Sequence, residues 1–217
     1  MKSLIIFDLD GTLLDTIADM AASTNYALSK CNFETHEVTK YRFFIGNGIN
    51  KLFERVLPEG EKTIENIQRV RTCFLDYYTQ HNSELTKPYV GILELLEELQ
   101  NKGTKLAVAS NKYHEATENL VKHFFPSIQF IAIFGQLEGV AAKPDPTIIE
   151  NILSITLTPK NEVLYIGDSG VDMLTAKNAN IDACGVTWGF RPRAELEEFH
   201  PKHIVNNTTE ILDLLNE

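Results

Sequence analysis

The chain has 217 residues, of which 43% are hydrophobic and 23% are charged, as is usual for a globular protein with a packed core. Acidic residues outnumber basic residues by 30 to 20, so the formal net charge is −10. This charge repels nucleic-acid backbones and anionic membrane surfaces, and we therefore expect neither as a partner. An anionic substrate would have to be attracted locally, by a bound cation or a few basic side chains.

Cysteine usage and the first residues bear on the compartment. Cys31, Cys73 and Cys184 are odd in number, widely separated and without metal-ligand spacing, which favours thiols in a reducing cytosol over disulfides. The apolar run over residues 4–7 ends at Asp8 and is too short for a signal-peptide core or a membrane span. We therefore predict a cytoplasmic protein.

The first predicted element is a strand over residues 4–7, a continuous apolar run that is typical of strands buried on both faces. The stretch that follows, residues 15–87, contains no strong strand signal. Its predicted helices cover residues 17–29, 49–56 and 64–78. We interpret residues 15–87 as an all-helical cap domain inserted into a core formed by residues 1–14 and 88–217.

From residue 88 onward, strands and helices alternate. The predicted helices cover 92–100, 115–124, 146–153 and 172–179, the third with Asp145 as N-cap and Pro146 in first position. The predicted strands cover 105–109, 128–134, 162–166, 183–186 and 203–205. This alternation predicts an α/β fold, with an open parallel Rossmann-like sheet flanked by helices.

Polar residues follow the predicted strands at the edge where open α/β sheets bind ligands. Three carboxylates brought together there would require a cation, and oxygen-only ligands suit Mg²⁺. One carboxylate could attack phosphorus, and a second could protonate the leaving oxygen. An ammonium and a hydroxyl could then stabilise the phosphoryl group. The residues in question are Asp8, Asp10, Ser110, Asn111, Lys143 and Asp168.

Together, these segments resemble the four ordered motifs of the haloacid dehalogenase superfamily, and within it the phosphoglycolate phosphatase-like group with a helical cap. The resemblance spans nearly the whole chain. The motifs are Asp8-Leu9-Asp10-Gly11-Thr12-Leu13, Ser110, Lys143-Pro144, and Gly167-Asp168-Ser169 with Asp172.

The resemblance implies a role for each matching residue. Asp8 would be the nucleophile and a Mg²⁺ ligand, and Asp10 would be the general acid and base, ligating the metal through its backbone carbonyl. Asp168 would ligate the metal directly, with Asp172 in support. Phosphate would be bound by Ser110, Asn111 and Lys143.

A Gly46-Asn47-Gly48 segment in the predicted cap resembles one that is common in phosphoglycolate phosphatases. Its backbone N–H groups precede a predicted helix and could bind a carboxylate, with Arg42 or Lys51 adding charge. A tight turn between two helices is the alternative interpretation. Phosphoglycolate is accordingly the leading substrate, and the expected partner is a small-molecule phosphate ester, with the protein a monomer or homodimer.

Other functions fit parts of the pattern. Pyrophosphate, nucleotide or sugar phosphates are alternative substrates, and phosphomutases keep both aspartates but usually carry a cap histidine that residues 16–21 lack. Metal-free dehalogenases lack an equivalent of Asp10. A receiver-like signalling module with a phosphorylated aspartate would be shorter and without the helical insertion. A catalytically silent scaffold is disfavoured because every motif position is intact.

Overall fold

A computed structural model describes residues 2–216, and within that range a six-stranded sheet forms the core. The strands stand in the order β5-β4-β1-β6-β7-β8, and every neighbouring pair is parallel. The open, parallel Rossmann-like sheet is thereby confirmed. Its strands are β1 (Leu4–Phe7), β4 (Lys105–Tyr113), β5 (Phe130–Gln136), β6 (Val163–Gly167), β7 (Asp182–Val186) and β8 (His203–Val205).

Helices cover both faces of the sheet because side chains alternate along each strand. Ile5 and Phe7 of β1 pack on one face, whereas Leu4 and Ile6 pack on the other, and all four are fully buried. The first face is covered by α5 (Ile92–Asn101), α6 (His114–Phe124) and α10 (Thr208–Asn216). The second face is covered by α7 (Thr147–Thr156), α8 (Gly170–Ala179) and α9 (Arg193–Glu198).

The segment over residues 17–81, here called the helical block, packs around a hydrophobic cluster of its own. Its helices are α1 (Ile17–Lys30), α2 (Tyr41–Phe44), α3 (Ile49–Val56) and α4 (Ile64–His81). Leu28, Tyr41, Phe53, Phe74 and Tyr78 are buried inside this cluster. The three helices expected from the sequence are therefore present, and α2 is an addition.

The chain enters and leaves the helical block at one place. Strand β2 (Leu14–Asp15) pairs antiparallel with β3 (Lys87–Pro88), so the two crossings lie side by side. The predicted domain boundaries fall at this two-residue ladder, and the division into two domains stays a prediction.

Several boundaries differ from the sequence prediction by one to four residues, among them those of β4, β5 and α7. Strand β4 runs on to Tyr113 instead of ending at residue 109, because Tyr113 still pairs with Gln136 of β5. Strand β5 starts and ends two residues later than expected. Helix α7 begins at Thr147, one residue late, with the Asp145 carboxylate accepting from the Thr147 N–H at 3.0 Å.

The cysteines are free thiols, with Cys31 and Cys184 buried and Cys73 half-buried. This agrees with the expectation of structural thiols, and the compartment stays a prediction. Across residues 2–216, none of the helices combines the length and the apolar character that a bilayer crossing requires.

Candidate active site

Three strand ends bring the predicted polar residues together. Strand β1 lies between β4 and β6, so Asp8 after β1, Ser110 in β4 and Asp168 after β6 meet at the carboxyl edge of the sheet. Lys143 reaches the same place from the loop before α7. Ser110 lies within β4, and α6 begins four residues later, so a helix N-cap role for Ser110 is excluded.

The Lys143 ammonium is the buried cation of the site. Its Nζ lies 3.0 Å from Asp8 Oδ1 and 2.8 Å from Asp172 Oδ1, and it donates to the Ala109 carbonyl at 3.0 Å. Burial alone would lower the pKa of Lys143, but the carboxylates of Asp172 and Asp8 outweigh burial and raise it. Lys143 is therefore a fixed positive charge beside Asp8.

Asn111 holds the Lys143 loop in place. Its side-chain oxygen accepts from the Lys143 N–H at 2.8 Å, and its amide nitrogen donates to the Lys143 carbonyl at 3.1 Å and to the Gly46 carbonyl at 3.2 Å. Asn111 thus joins the loop to the helical block while also lining the cavity. A direct phosphate contact from Asn111 stays a prediction.

Three buried carboxylates face one another beside Lys143. Asp8, Asp168 and Asp172 each offer an oxygen within 4.8 Å of the others. Burial, with the neighbouring negative charges, raises the pKa of Asp8 to about 7 and that of Asp168 well above its usual range. One ammonium cannot compensate three carboxylates, so a bound cation fits this cluster.

Some carboxylate oxygens of this cluster accept hydrogen bonds from the protein, and others remain available to a ligand. Asp172 accepts from Lys143 and Tyr165 at Oδ1, and from the Ser169 N–H and hydroxyl at Oδ2. Asp168 Oδ2 accepts from the Phe190 N–H at 2.7 Å. Within the part of the chain that the structure describes, Asp8 Oδ2 and Asp168 Oδ1 have no such partner and could bind a metal, with Asp172 behind them.

Two glycines close the backbone around Asp168. Gly11 has φ +85°, and a Cβ there would lie 2.4 Å from Asp168 Oδ2. A Cβ at Gly189 would lie 2.3 Å from the Asp168 Cβ. Only glycine permits both loops to approach this closely, so they form a tight cradle around a carboxylate that could bind metal.

Asp10 has a different environment from Asp8. Its carboxylate accepts from the Thr16 hydroxyl at 2.8 Å and from Lys112 Nζ at 3.0 Å to each oxygen. The Lys112 side chain is only 3% exposed, and the Asp10 charge raises its pKa although burial acts to lower it. Sequence reasoning missed Lys112, even though two-residue periodicity along β4 places it on the same face as Ser110.

A cavity lies between the strand ends and the helical block. The empty space between its walls, counted out into open solvent, is about 620 Å³. Asp8, Asp10, Ser110 and Asp168 line it from the core. The block contributes a mainly apolar wall that includes Met20, Leu52, Phe74 and Tyr78, together with Gly46 and Gly48.

The side chains of the helical block that were predicted to bind a substrate carboxylate lie away from the cavity. The side chains of Arg42, Asn47 and Lys51 do not appear among the described residues that line the cavity. Arg42 is exposed, and Lys51 is exposed and pairs with Glu54. Asn47 accepts from Arg55 Nη2 at 2.7 Å, which fixes the turn between Gly46 and Gly48.

Arg191 joins the core to this turn. It follows β7, lines the cavity and donates to the backbone carbonyls of Arg42 and Ile45, the latter at 2.8 Å. Phe190, its neighbour, donates its N–H to Asp168. The same short segment therefore contacts both the carboxylate cluster and the helical block.

Comparisons with known proteins agree with this arrangement. The chain is 30% identical over 208 residues to a phosphoglycolate phosphatase of Mesorhizobium japonicum, with 95% of this chain and 91% of the relative covered. It is 32% identical to a phosphoglycolate phosphatase of Cereibacter sphaeroides, with 97% and 96% covered.

The fold also matches solved structures. The crystal structure of a proposed phosphoglycolate phosphatase from Lactobacillus delbrueckii subsp. bulgaricus superposes with a TM-score of 0.91 at 33% identity over 97% of both chains. A family model described as haloacid dehalogenase-like hydrolase matches residues 5–186. On these grounds, the chain belongs to the haloacid dehalogenase-like hydrolase family.

Proposed function

We propose that this hydrolase is a Mg²⁺-dependent phosphatase that acts on a small phosphate monoester through a phosphoryl group on Asp8. The observation that carries the proposal is the position of Asp8. One of its oxygens is bound by Lys143, the other has no hydrogen-bond partner among residues 2–216, and the Asp8 carboxylate lies beside those of Asp168 and Asp172. A carboxylate held between a fixed ammonium and a cation site is suited to attack phosphorus.

The chain's own residues account for both half-reactions. The available oxygen of Asp8 attacks phosphorus while Asp10 gives a proton to the ester oxygen, so the alcohol leaves and Asp8 carries the phosphoryl group. Asp10, now a carboxylate, takes a proton from water. The resulting hydroxide attacks the same phosphorus, phosphate leaves, and Asp8 is restored.

Charge stabilisation comes from fixed groups. Lys143 and the Ser110 hydroxyl would contact the phosphoryl oxygens. A Mg²⁺ ion held by Asp168, the Asp10 backbone carbonyl and the Asp8 oxygen that does not attack would supply positive charge that offsets both the carboxylates and the phosphate. Asp172 would act by holding Lys143.

Phosphoglycolate is the proposed substrate. The named activity of the Mesorhizobium japonicum and Cereibacter sphaeroides relatives supports it. A receiver-like module or a silent scaffold does not fit a hydrolase whose catalytic positions are intact. The cytoplasmic compartment and a monomer or homodimer stay predictions.

The test is hydrolysis of a phosphate-ester panel with and without Mg²⁺. We expect metal-dependent release of phosphate by the purified protein, and we expect Asp8→Asn to lower the rate by about a thousandfold or more because the nucleophile is lost. Asp76→Asn, an exposed aspartate on α4, is the matched control and should retain the wild-type rate. Folded wild-type protein without metal-dependent turnover on any ester would refute the proposal.

A further inference from the structure

We infer that Lys112 and Tyr78 form a subsite for an anionic leaving group, so that the enzyme selects small esters with a carboxylate or second phosphate next to the ester oxygen. The inference rests on the proposed phosphatase function. It assigns substrate selection to one residue from the core and one from the helical block. The recognised group is a small anion, of which glycolate is the example that fits the cavity.

Lys112 has donor capacity left for a ligand. Its Nζ donates to both Asp10 oxygens at 3.0 Å, and its other neighbours are the Met20 sulfur at 3.7 Å and the Tyr78 side chain. A thioether is a weak acceptor, whereas an ammonium carries three donors. Lys112 is a buried ammonium that lines the cavity, so it can donate a hydrogen bond to an additional anionic oxygen there.

Tyr78, which lies beside Lys112, gives a second sign of a missing ligand. Its side chain is 1% exposed and lines the same cavity, and among residues 2–216 its hydroxyl has no hydrogen-bond partner. A buried hydroxyl without a partner costs free energy, and a ligand oxygen would remove that cost. Lys112 Nζ lies 5.1 Å from the centre of the Tyr78 ring, so one small anion can meet both groups.

The reaction geometry places a leaving-group anion at this point. As general acid, Asp10 must come within about 3 Å of the ester oxygen. Lys112 contacts both Asp10 oxygens, so it lies on the leaving-group side of the site. In a glycolate ester the carboxylate carbon is two bonds from the ester oxygen, at about 1.5 Å per bond, which brings its oxygens within reach of Lys112.

Other cations do not serve this position as well. Arg191 also lines the cavity, but it donates to the carbonyls of Arg42 and Ile45. Lys143 lies beside Asp8 on the phosphoryl side. The remaining wall, which includes Met20, Leu52 and Phe74, is apolar and offers a neutral polyol little hydrogen bonding.

The experiment compares leaving groups that differ in charge. The kcat/KM is measured for phosphoglycolate, pyrophosphate and neutral 2-hydroxyethyl phosphate, and the ratio of each anionic substrate to the neutral one is the readout. Lys112→Met should lower the phosphoglycolate ratio by about tenfold or more, and Tyr78→Phe by about threefold or more, because charge-assisted bonds are the stronger ones. Pyrophosphate separates the two anion types: a fall confined to phosphoglycolate assigns a carboxylate subsite, whereas a fall for both assigns a general anion subsite.

Matched controls isolate the subsite from general damage. Lys51→Met removes an exposed lysine of the helical block, and Tyr77→Phe removes the neighbouring hydroxyl on α4; both should leave the ratios unchanged. Lys112→Arg should restore part of the preference. Equal losses on charged and neutral esters would mean that Lys112 only holds Asp10, and an unchanged ratio in both Lys112→Met and Tyr78→Phe would overturn the inference.

Two further measurements keep the outcome decisive. If Lys112→Met does not give a folded circular-dichroism spectrum, the inference is tested by Tyr78→Phe and by product inhibition of the wild type. Glycolate should then inhibit at least tenfold more tightly than ethylene glycol. Equal inhibition by the two compounds would overturn the inference. Calorimetric binding of phosphoglycolate to the wild type separates the two proposals. If phosphoglycolate binds in a way that depends on Lys112 but is not hydrolysed, only the proposed phosphatase function is refuted. If esters are hydrolysed without a preference for a charged leaving group, only the proposed subsite is refuted.

Discussion

Asp8 and Asp10 are two residues apart, yet their surroundings suit them to different tasks. Asp8 faces Lys143 and the buried carboxylates, where burial raises its pKa to about 7. Asp10 faces Lys112 and Thr16 instead. A nucleophile requires a partner that stabilises the phosphoryl group, whereas an acid and base requires a position beside the leaving oxygen. Their contacts agree with this division.

Replacing Asp10 tests the division directly. Asp10→Asn retains the backbone carbonyl, so we expect Mg²⁺ affinity to change little while turnover falls by about a hundredfold to ten-thousandfold, since an amide cannot shuttle a proton. Metal binding is measured by calorimetry and turnover by phosphate release. A near-normal rate would show that another group carries the proton.

At the level of single residues, the sequence predicts the motif residues but not the residues of the helical block that line the cavity opposite them. Asp8 and Asp168 follow β1 and β6, and Ser110 lies in β4, and these three strands are adjacent in the sheet, so parallel topology brings the residues together. Tyr78 and Leu52 reach the cavity only because the block docks over it. No local pattern in the chain encodes that docking, because it depends on contacts between distant segments.

Among the elements, helix α1 is fastened to the returning chain by a buried carboxylate. Asp19 is 2% exposed and accepts from the Leu85 N–H at 3.0 Å and from the Thr86 N–H at 2.8 Å. These bonds span the start of the helical block and the segment that leads back to β3. They therefore fix the base of the block.

Removing this carboxylate should destabilise the protein without touching the chemistry. Asp19→Ala leaves two buried backbone donors without their acceptor, and we expect a loss of about 3 kcal/mol in the free energy of unfolding. Chemical denaturation measures it. Asp76→Ala, an exposed aspartate on α4, should change stability by less than about 0.5 kcal/mol. Equal effects of the two substitutions would contradict this account.

The elements with periodic sequences were predictable, and those defined by tertiary contact were not. Apolar runs predicted every strand of the large sheet, because strands buried on both faces require them. The two-residue strands β2 and β3 carry no such signal, since their pairing depends on the block returning to its starting point. Strand β4 continues past its apolar run because Tyr113 still pairs with Gln136 of β5.

For the whole molecule, the buried carboxylates link stability, pH and metal. Burial raises the pKa of Asp8 from 3.8 to about 7 in the folded protein. A carboxyl group with a raised folded pKa binds its proton more tightly when folded, so its contribution is fully present below about pH 3.8 and is lost as the pH rises through about 7. Metal-free protein should therefore lose this contribution at neutral pH.

Added Mg²⁺ should reverse that loss, because a cation binds the deprotonated carboxylate. We expect the rise in melting temperature produced by saturating Mg²⁺ to be small at about pH 5.5 and clearly larger at about pH 8. Thermal denaturation at both pH values measures it, and Asp8→Asn should weaken the pH dependence. A metal effect that is constant or declines with pH would argue against these ligands.

The paired crossings at β2 and β3 have an evolutionary consequence. Residues paired across antiparallel strands lie only about 5 Å apart. The chain therefore leaves the core and returns to it at nearly the same point, as it would in a short turn, whatever lies between the two strands. The number and kind of residues between the crossings can then drift without disturbing the register of the large sheet. Such a junction would let lineages exchange the block, which we propose recognises the leaving group, while keeping the strand ends that position Asp8 and Asp168.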